Sequence, residues 1–183
     1  MGFASELKVL YKLSMNKKNI FNFTPGSYMF IDNNKQIYNY KKYTSFPCGN
    51  IEYIVNKNLY FKLLDNIHNA VQKRVEGTSD RPIGCLLSGG LDSSLIASMV
   101  KSFYKSTTHT LETFSIGLAG SEDLKYAAIV ARHLGTKHHE IIVTEDDFFN
   151  AIPDVIKAIE SYDTTTVRAS VGNYLIGKYI KEN

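Results

Sequence analysis

The stretch Ile83-Gly84-Cys85-Leu86-Leu87-Ser88-Gly89-Gly90-Leu91-Asp92-Ser93-Ser94-Leu95-Ile96-Ala97-Ser98-Met99-Val100 decides how this chain folds. It opens on an apolar run of strand length, which reads as a buried strand, and closes on a helical pattern. Between them lies a glycine-rich turn. Strand, turn and helix in that order make one step of an α/β fold. Such a turn leaves backbone N–H groups without intrahelical partners, at the positive end of the helix dipole. Glycine lets the backbone approach an anion closely and adopt conformations closed to other residues. Ser88, Gly89, Gly90, Asp92 and Ser93 therefore read as a phosphate site.

The turn lacks the lysine that a Walker A loop uses on the β and γ phosphates. Asp92 stands there instead. A carboxylate beside phosphates makes chemical sense through a bridging Mg2+, which prefers carboxylate and phosphate oxygens. The loop is expected to hold a whole pyrophosphate with its metal, as suits enzymes that cleave ATP between the α and β phosphates.

Outward from the loop, strands and helices alternate. Strands are expected near 83–87, 111–116 and 138–143, and helices near 92–105 and 121–134. A helix over 57–76 precedes them, with Leu63, Ile67, Val71 and Val75 as its apolar stripe. Thr144-Glu145-Asp146-Asp147 resembles a capping box opening another helix, within which Pro153 is expected to start a second segment. Residues 168–182 read as helical, after a polar loop holding Glu160, Asp163 and Arg168. Alternation at this spacing argues for a parallel sheet with helices on both faces, and ligands bind such sheets at the carboxyl ends of the strands. Three strands are fewer than a complete doubly wound domain usually has, so the chain reads as part of one. Before this block, residues 4–14 suggest a short helix, Ser27–Ile31 and Gln36–Tyr40 suggest a hairpin around Asp32-Asn33-Asn34, and residues 41–55 suggest a linker.

Composition excludes several classes. The chain has 183 residues, 44% hydrophobic and 21% charged, as expected of one ordinary soluble domain or a domain plus a fragment. A net charge of +3 with scattered basic residues gives no case for nucleic acid. No run approaches the length of a membrane span, and the N-terminal residues lack the pattern of a signal peptide, so a cytoplasmic location is expected. Cys48 and Cys85 form no disulfide framework; Cys85, inside the expected strand, reads as a small core residue. His133, His138 and His139 do not read as a metal site, because His138 and His139 are strand neighbours facing opposite sides.

From Arg81 to Ser94 the sequence resembles the glutamine-dependent asparagine synthetases. The resemblance continues through Thr113-Phe114-Ser115-Ile116-Gly117, Asp123-Leu124-Lys125-Tyr126-Ala127, His133–Glu140 and Glu160–Ser170. Phe23-Thr24-Pro25-Gly26-Ser27-Tyr28 looks like the end of that family's glutaminase domain. The resemblance implies a partial doubly wound parallel sheet of the adenine nucleotide α-hydrolase-like, ATP pyrophosphatase type, preceded by a short α+β remnant. It places the remnant of an N-terminal-nucleophile glutaminase domain at 1–50 and the first half of the synthetase domain at 51–183. It implies a ligase that uses ATP and Mg2+ to convert aspartate to asparagine through β-aspartyl-AMP, with ammonia drawn from glutamine. By the same resemblance the pyrophosphate loop falls on Ser88, Gly89, Gly90, Asp92 and Ser93, the adenine contacts on Leu86 and Ile116, and a substrate-carboxylate contact on Arg168. Asp92 and Arg168 are the expected catalytic pair, and Asp92 the Mg2+ contact.

Two departures bear on activity. Residue 2 is Gly where the family's glutaminase has its nucleophilic cysteine, and neither the second phosphate motif S-G-E-G-x-D-E nor the later catalytic lysine is in the sequence. A separate C-terminal half or an intact synthetase subunit is the partner this implies. A non-catalytic ATP-binding remnant and a related ATP pyrophosphatase amidoligase stay open as alternatives.

Overall fold

The computed structural model describes residues 2–14, 19–34, 36–44, 57–78, 80–105 and 109–183. The expected linker, with Cys48 and the expected boundary at 50/51, lies largely outside the described residues. The chain divides into two compact units, Met1–Ile54 and Val55–Asn183.

In the first unit α1 (Leu7–Leu13) precedes a hairpin of β1 (Ser27–Ile31) and β2 (Ile37–Lys42). Gly26 starts the hairpin with φ +70, and the register shifts between Phe30 and Ile31. Asp32 Oδ1 accepts from the Gln36 N–H at 2.7 Å and closes the turn.

The second unit holds α2 (Lys57–Gly77), β3 (Gly84–Leu86), α3 (Leu91–Phe103), β4 (Glu112–Leu118), α4 (Glu122–Leu134), β5 (Lys137–Val143), α5 (Glu145–Ile159) and α6 (Thr164–Glu182). The sheet is parallel throughout, in the order β3-β4-β5. Both faces carry helices. Gly117 faces Leu124 of α4, whereas its neighbour Ile116 faces Gly172 of α6. Successive strand residues point to opposite sides, so α4 and α6 cover opposite faces. On the α4 side Leu87, Ala97, Ala127 and Ala131 form one core cluster, and α2 and α3 form another around Val71, Val75, Met99, Val100 and Leu111. The α5–α6 pair closes a third around Ala151, Val155, Val167 and Val171.

Four expectations need correction. The run 83–87 is an edge strand rather than a buried one: Leu86 is 48% exposed, and full burial begins at Leu87. Its apolar character serves one face, where Ile83, Cys85 and Leu87 pack against the helix clusters, while Leu86 points to the other. The α2 stripe packs from Ile67 onward, and Leu63 is exposed because α3 does not extend under the first turns of α2. Pro153 does not start a new segment; α5 runs through it from Glu145 to Ile159. The missing N–H would have met the carbonyl of exposed Phe149, which water can reach, while Ala151 and Val155 anchor the helix on either side. Finally, α6 begins at Thr164, so Arg168 is helical. Asp163 N-caps it, its carboxylate accepting from the Thr166 N–H at 2.8 Å and Oγ1 at 2.7 Å. The capping box at Thr144 and Asp147 is present as expected.

Candidate functional site

The glycine loop stands at the carboxyl end of β3. Gly89 has φ +77, a left-handed conformation that favours glycine. A Cβ there would lie 2.6 Å from the Ala127 nitrogen and 2.6 Å from Tyr126 Cβ, so α4 rests directly on the loop. Gly90 is the N-cap of α3 and supplies no side chain to the helix end. The first-turn N–H groups are thus left facing outward from the positive end of a helix dipole.

The hydroxyls brace the loop. Ser93 Oγ and Ser94 Oγ both donate to the Gly90 carbonyl, at 3.1 and 2.7 Å. Ser88 Oγ lies 2.9 Å from Ser93 Oγ, and the Gly90 N–H donates to Ser88 Oγ at 3.4 Å. Holding the Gly90 carbonyl toward the helix turns the Leu91 N–H, on the far side of the same planar peptide, out toward the mouth of the loop.

Asp92 sits in the first turn of α3 with its side chain exposed. Among the described residues its carboxylate has no hydrogen-bond or ion-pair partner. An unpaired carboxylate beside outward N–H groups suits a bridging Mg2+, which shares oxygen ligands between protein and phosphate. Asp92 and Ser93 line a cavity of about 510 Å³ with Leu86, Ile83, Ile96 and Cys85 along the free edge of β3. Cys85 is half-buried against two of the core clusters, and burial pushes its thiol above its ordinary pKa, which favours the unreactive thiol over the thiolate.

Leu86 is the register partner of Phe114, and Phe114 and Ile116 alternate to the same face. Leu86 and Ile116 therefore lie on one face of adjacent strands, a diagonal step apart. The third expected contact is placed by α6. Gly172 packs on Ile116, and Tyr179, further along the helix, lies beside His139, the register partner of Phe114. Thus α6 runs antiparallel to the strands, and its first turns rise toward their carboxyl ends, where the glycine loop is. Arg168 lies on those turns, exposed, with no hydrogen bond or ion pair among the described residues. Glu160 ends α5 with φ 56, an uncommon conformation for a residue with a side chain.

The two strand histidines face opposite sides, as alternation requires. His138 bonds Thr113 and Ser115 of β4; His139 Nε2 meets Glu112 Oε2 at 2.7 Å and its ring stacks on Phe114. Sequence reasoning missed the seat that Tyr126 and Ala127 give to Gly89. Its signal was present: Ala127 and Ala131, four apart on α4, are the small residues that permit a close approach.

Residues 62–183 match the family model described as asparagine synthase. The chain is 46% identical over 140 residues to the glutamine-hydrolysing asparagine synthetase of Homo sapiens, covering 75% of this chain and 24% of that protein. The Bos taurus protein of the same description is 50% identical over 140 residues, with the same coverage. The Gallus gallus protein is 48% identical over 116 residues, 62% of this chain and 20% of its own length. The chain thus spans about a quarter of the length of the curated relatives it matches.

Proposed function

The chain belongs to the asparagine synthase family, and from that premise we propose that its Ser88–Ser93 loop binds the pyrophosphate end of MgATP for the amidation of aspartate. In the proposed reaction the aspartate side-chain carboxylate attacks the α phosphorus. The bond to the α–β bridging oxygen breaks, pyrophosphate leaves, and β-aspartyl-AMP forms. Ammonia derived from glutamine then attacks the acyl carbon; AMP leaves and a proton is lost, giving asparagine.

This chain's residues serve the first step. The outward N–H groups of the α3 first turn donate to the leaving pyrophosphate, whose charge grows as the bond breaks. Asp92 would hold the Mg2+, which neutralises that charge. Leu86 and Ile116 flank the adenine, and Arg168, at the same end of the sheet, takes a substrate carboxylate. Residues 1–50 are proposed as the end of a glutaminase domain, and 51–183 as the first half of the synthetase domain.

The observation that carries this reading is the start of α3, without a side-chain cap, with an Asp92 carboxylate beside it that has no partner among the described residues. Titration calorimetry with Mg-pyrophosphate, MgATP and AMP tests it. Binding of both magnesium complexes, and much weaker binding of AMP, supports it. No heat from Mg-pyrophosphate, or AMP binding as tight as MgATP, overturns the pyrophosphate assignment.

A further inference from the structure

Two hydroxyl residues, Thr113 and Ser115, are buried in the middle strand β4, at 0% and 3% exposure. Both face α4, and both meet His138 of β5. Thr113 Oγ1 lies 2.9 Å from His138 Nδ1, and Ser115 Oγ lies 3.1 Å from Nε2. Thr113 Oγ1 is also 2.9 Å from Thr136 Oγ1. One bond in this set has a fixed direction: Thr136 Oγ1 donates to the Ala131 carbonyl at 3.3 Å. A hydroxyl has a single proton, so Thr113 donates to Thr136. Thr113 then accepts from His138, which puts the ring proton on Nδ1, and Nε2 accepts from Ser115. The cluster is satisfied with a neutral imidazole. A second ring proton, on Nε2, would force the buried Ser115 hydroxyl to turn and find another acceptor.

The far end of this chain of bonds is α4. Gly135 (φ +62) ends α4, its N–H donating to Arg132 O at 3.2 Å and the Thr136 N–H to Ala131 O at 3.1 Å. Thr136 therefore fastens the end of α4 to β4 through its hydroxyl. One turn earlier on the same helix, Ala127 is the seat of Gly89. Ala127 and Ala131 share a buried cluster with Leu87 and Ala97, which precede and follow the loop.

We propose that His138, Thr113 and Thr136 are positioning residues for the anion loop: the hydroxyl–imidazole network sets where α4 lies, and α4 sets the Gly89 turn. The inference rests on the assignment of that loop to pyrophosphate. It makes loop geometry depend on the neutral state of an imidazole on β5, two strands away from the loop's own strand. The groups around His138 are few. Thr113 and Ser115 face it from β4, with Glu112 on the opposite face paired to Lys137 and His139. Glu140 shares its face of β5. From α4 the inward residues are apolar; Arg132 and His133 are exposed, and Lys101 of α3 donates to the Gly135 carbonyl at 3.3 Å. Burial holds the His138 pKa below its usual value, against the charge of Glu140.

Nitrogen NMR of the full chain tests the network without any ligand. An Nδ1–H tautomer at pH 7.5, with the Gly89 and Ala127 amides shifting at the His138 midpoint on acidification, is expected. An Nε2–H tautomer, or amides that ignore that midpoint, overturns the proposal. The second arm measures Mg-pyrophosphate affinity. Thr136→Val should weaken it about threefold to tenfold, and Thr136→Ser should restore it. Pyrophosphate itself takes up protons over the same range, so acidification is read against His138→Gln, which should lose less affinity than wild type. Equal losses, or no rescue by serine, overturn the inference. A wild-type chain that binds no Mg-pyrophosphate overturns the function proposed above, while the ligand-free arm still decides the network.

Discussion

Gly89→Ala is the substitution whose cost can be worked most directly from this structure. Two independent effects add. With φ +77, alanine would occupy the left-handed region, at about 1–2 kcal/mol. Its Cβ would also lie 2.6 Å from the Ala127 nitrogen, 2.6 Å from Tyr126 Cβ and 2.8 Å from the Tyr126 carbonyl carbon. These are mostly backbone atoms or atoms fixed to backbone, so no side chain can swing aside; either α4 moves or the loop does. Overpacking of this kind costs about 1–3 kcal/mol. The expected loss is about 2–5 kcal/mol, a large part of the roughly 5–15 kcal/mol that stabilises an ordinary domain. Gly90→Ala is the internal control, because its backbone has φ −72 and its nearest neighbour is Ser88 Oγ at 3.4 Å. It should lose only the N-cap preference for glycine over alanine, within about 1 kcal/mol. Urea unfolding followed by circular dichroism measures both. At a slope of about 2 kcal/mol per molar, Gly89→Ala lowers the midpoint by about 1–2.5 M. Equal midpoints for the two variants would refute the claim that α4 seats on Gly89.

Asp92→Asn keeps the shape but removes the charge proposed to hold Mg2+, so calorimetry should show about a tenfold to hundredfold weaker Mg-pyrophosphate complex and little change for AMP; an equal loss for AMP would mean that Asp92 acts on the fold of the loop. His138, with its folded pKa below 6.5, binds its proton more readily unfolded, so its contribution to stability is complete above pH 6.5 and is lost as pH falls toward the folded value; unfolding midpoints should drop with acidification, and His138→Gln should flatten that slope. Asp163 is held below its ordinary range, first by the Thr166 N–H and then by the Thr166 hydroxyl, so its contribution is present above pH 3.8 and is lost on further acidification; Asp163→Ala should remove that dependence and fray the start of α6 in amide exchange. Thr144→Ala removes the hydroxyl half of the α5 capping box, while the backbone N–H at 144 keeps its bond to the Asp147 carboxylate, and should cost about 1 kcal/mol in thermal unfolding.

The alternation of β3, α3, β4, α4 and β5 was legible in the sequence because each step has its own local signal: an apolar run, glycines at the turn, a helical period, and Gly135 at the end of α4. The turn between β3 and α3 was legible for the same reason, since Gly89 and Gly90 announce a backbone that must turn sharply. What a chain does at long range was not. The start of α6 was hidden because its first residues, Thr164-Thr165-Thr166, are poor helix formers, and the cap that rescues them is a single carboxylate at Asp163. Arg168 accordingly read as a loop residue, although its helix brings it to the same end of the sheet as the glycine turn. The exposure of Leu86 was hidden as well, because a short apolar run looks the same whether one face or both faces of the strand are covered. The buried polar network was the least accessible. Thr113, Ser115, Thr136 and His138 look like scattered polar residues until the parallel register sets Thr113 opposite His138. Only then does alternation put their side chains on one face, under the helix that seats Gly89. The loop's glycines announce a sharp turn, but the helix that seats Gly89, and the hydroxyl–imidazole network tied to the end of that helix, lie on α4, β4 and β5, more than 20 positions further along the chain.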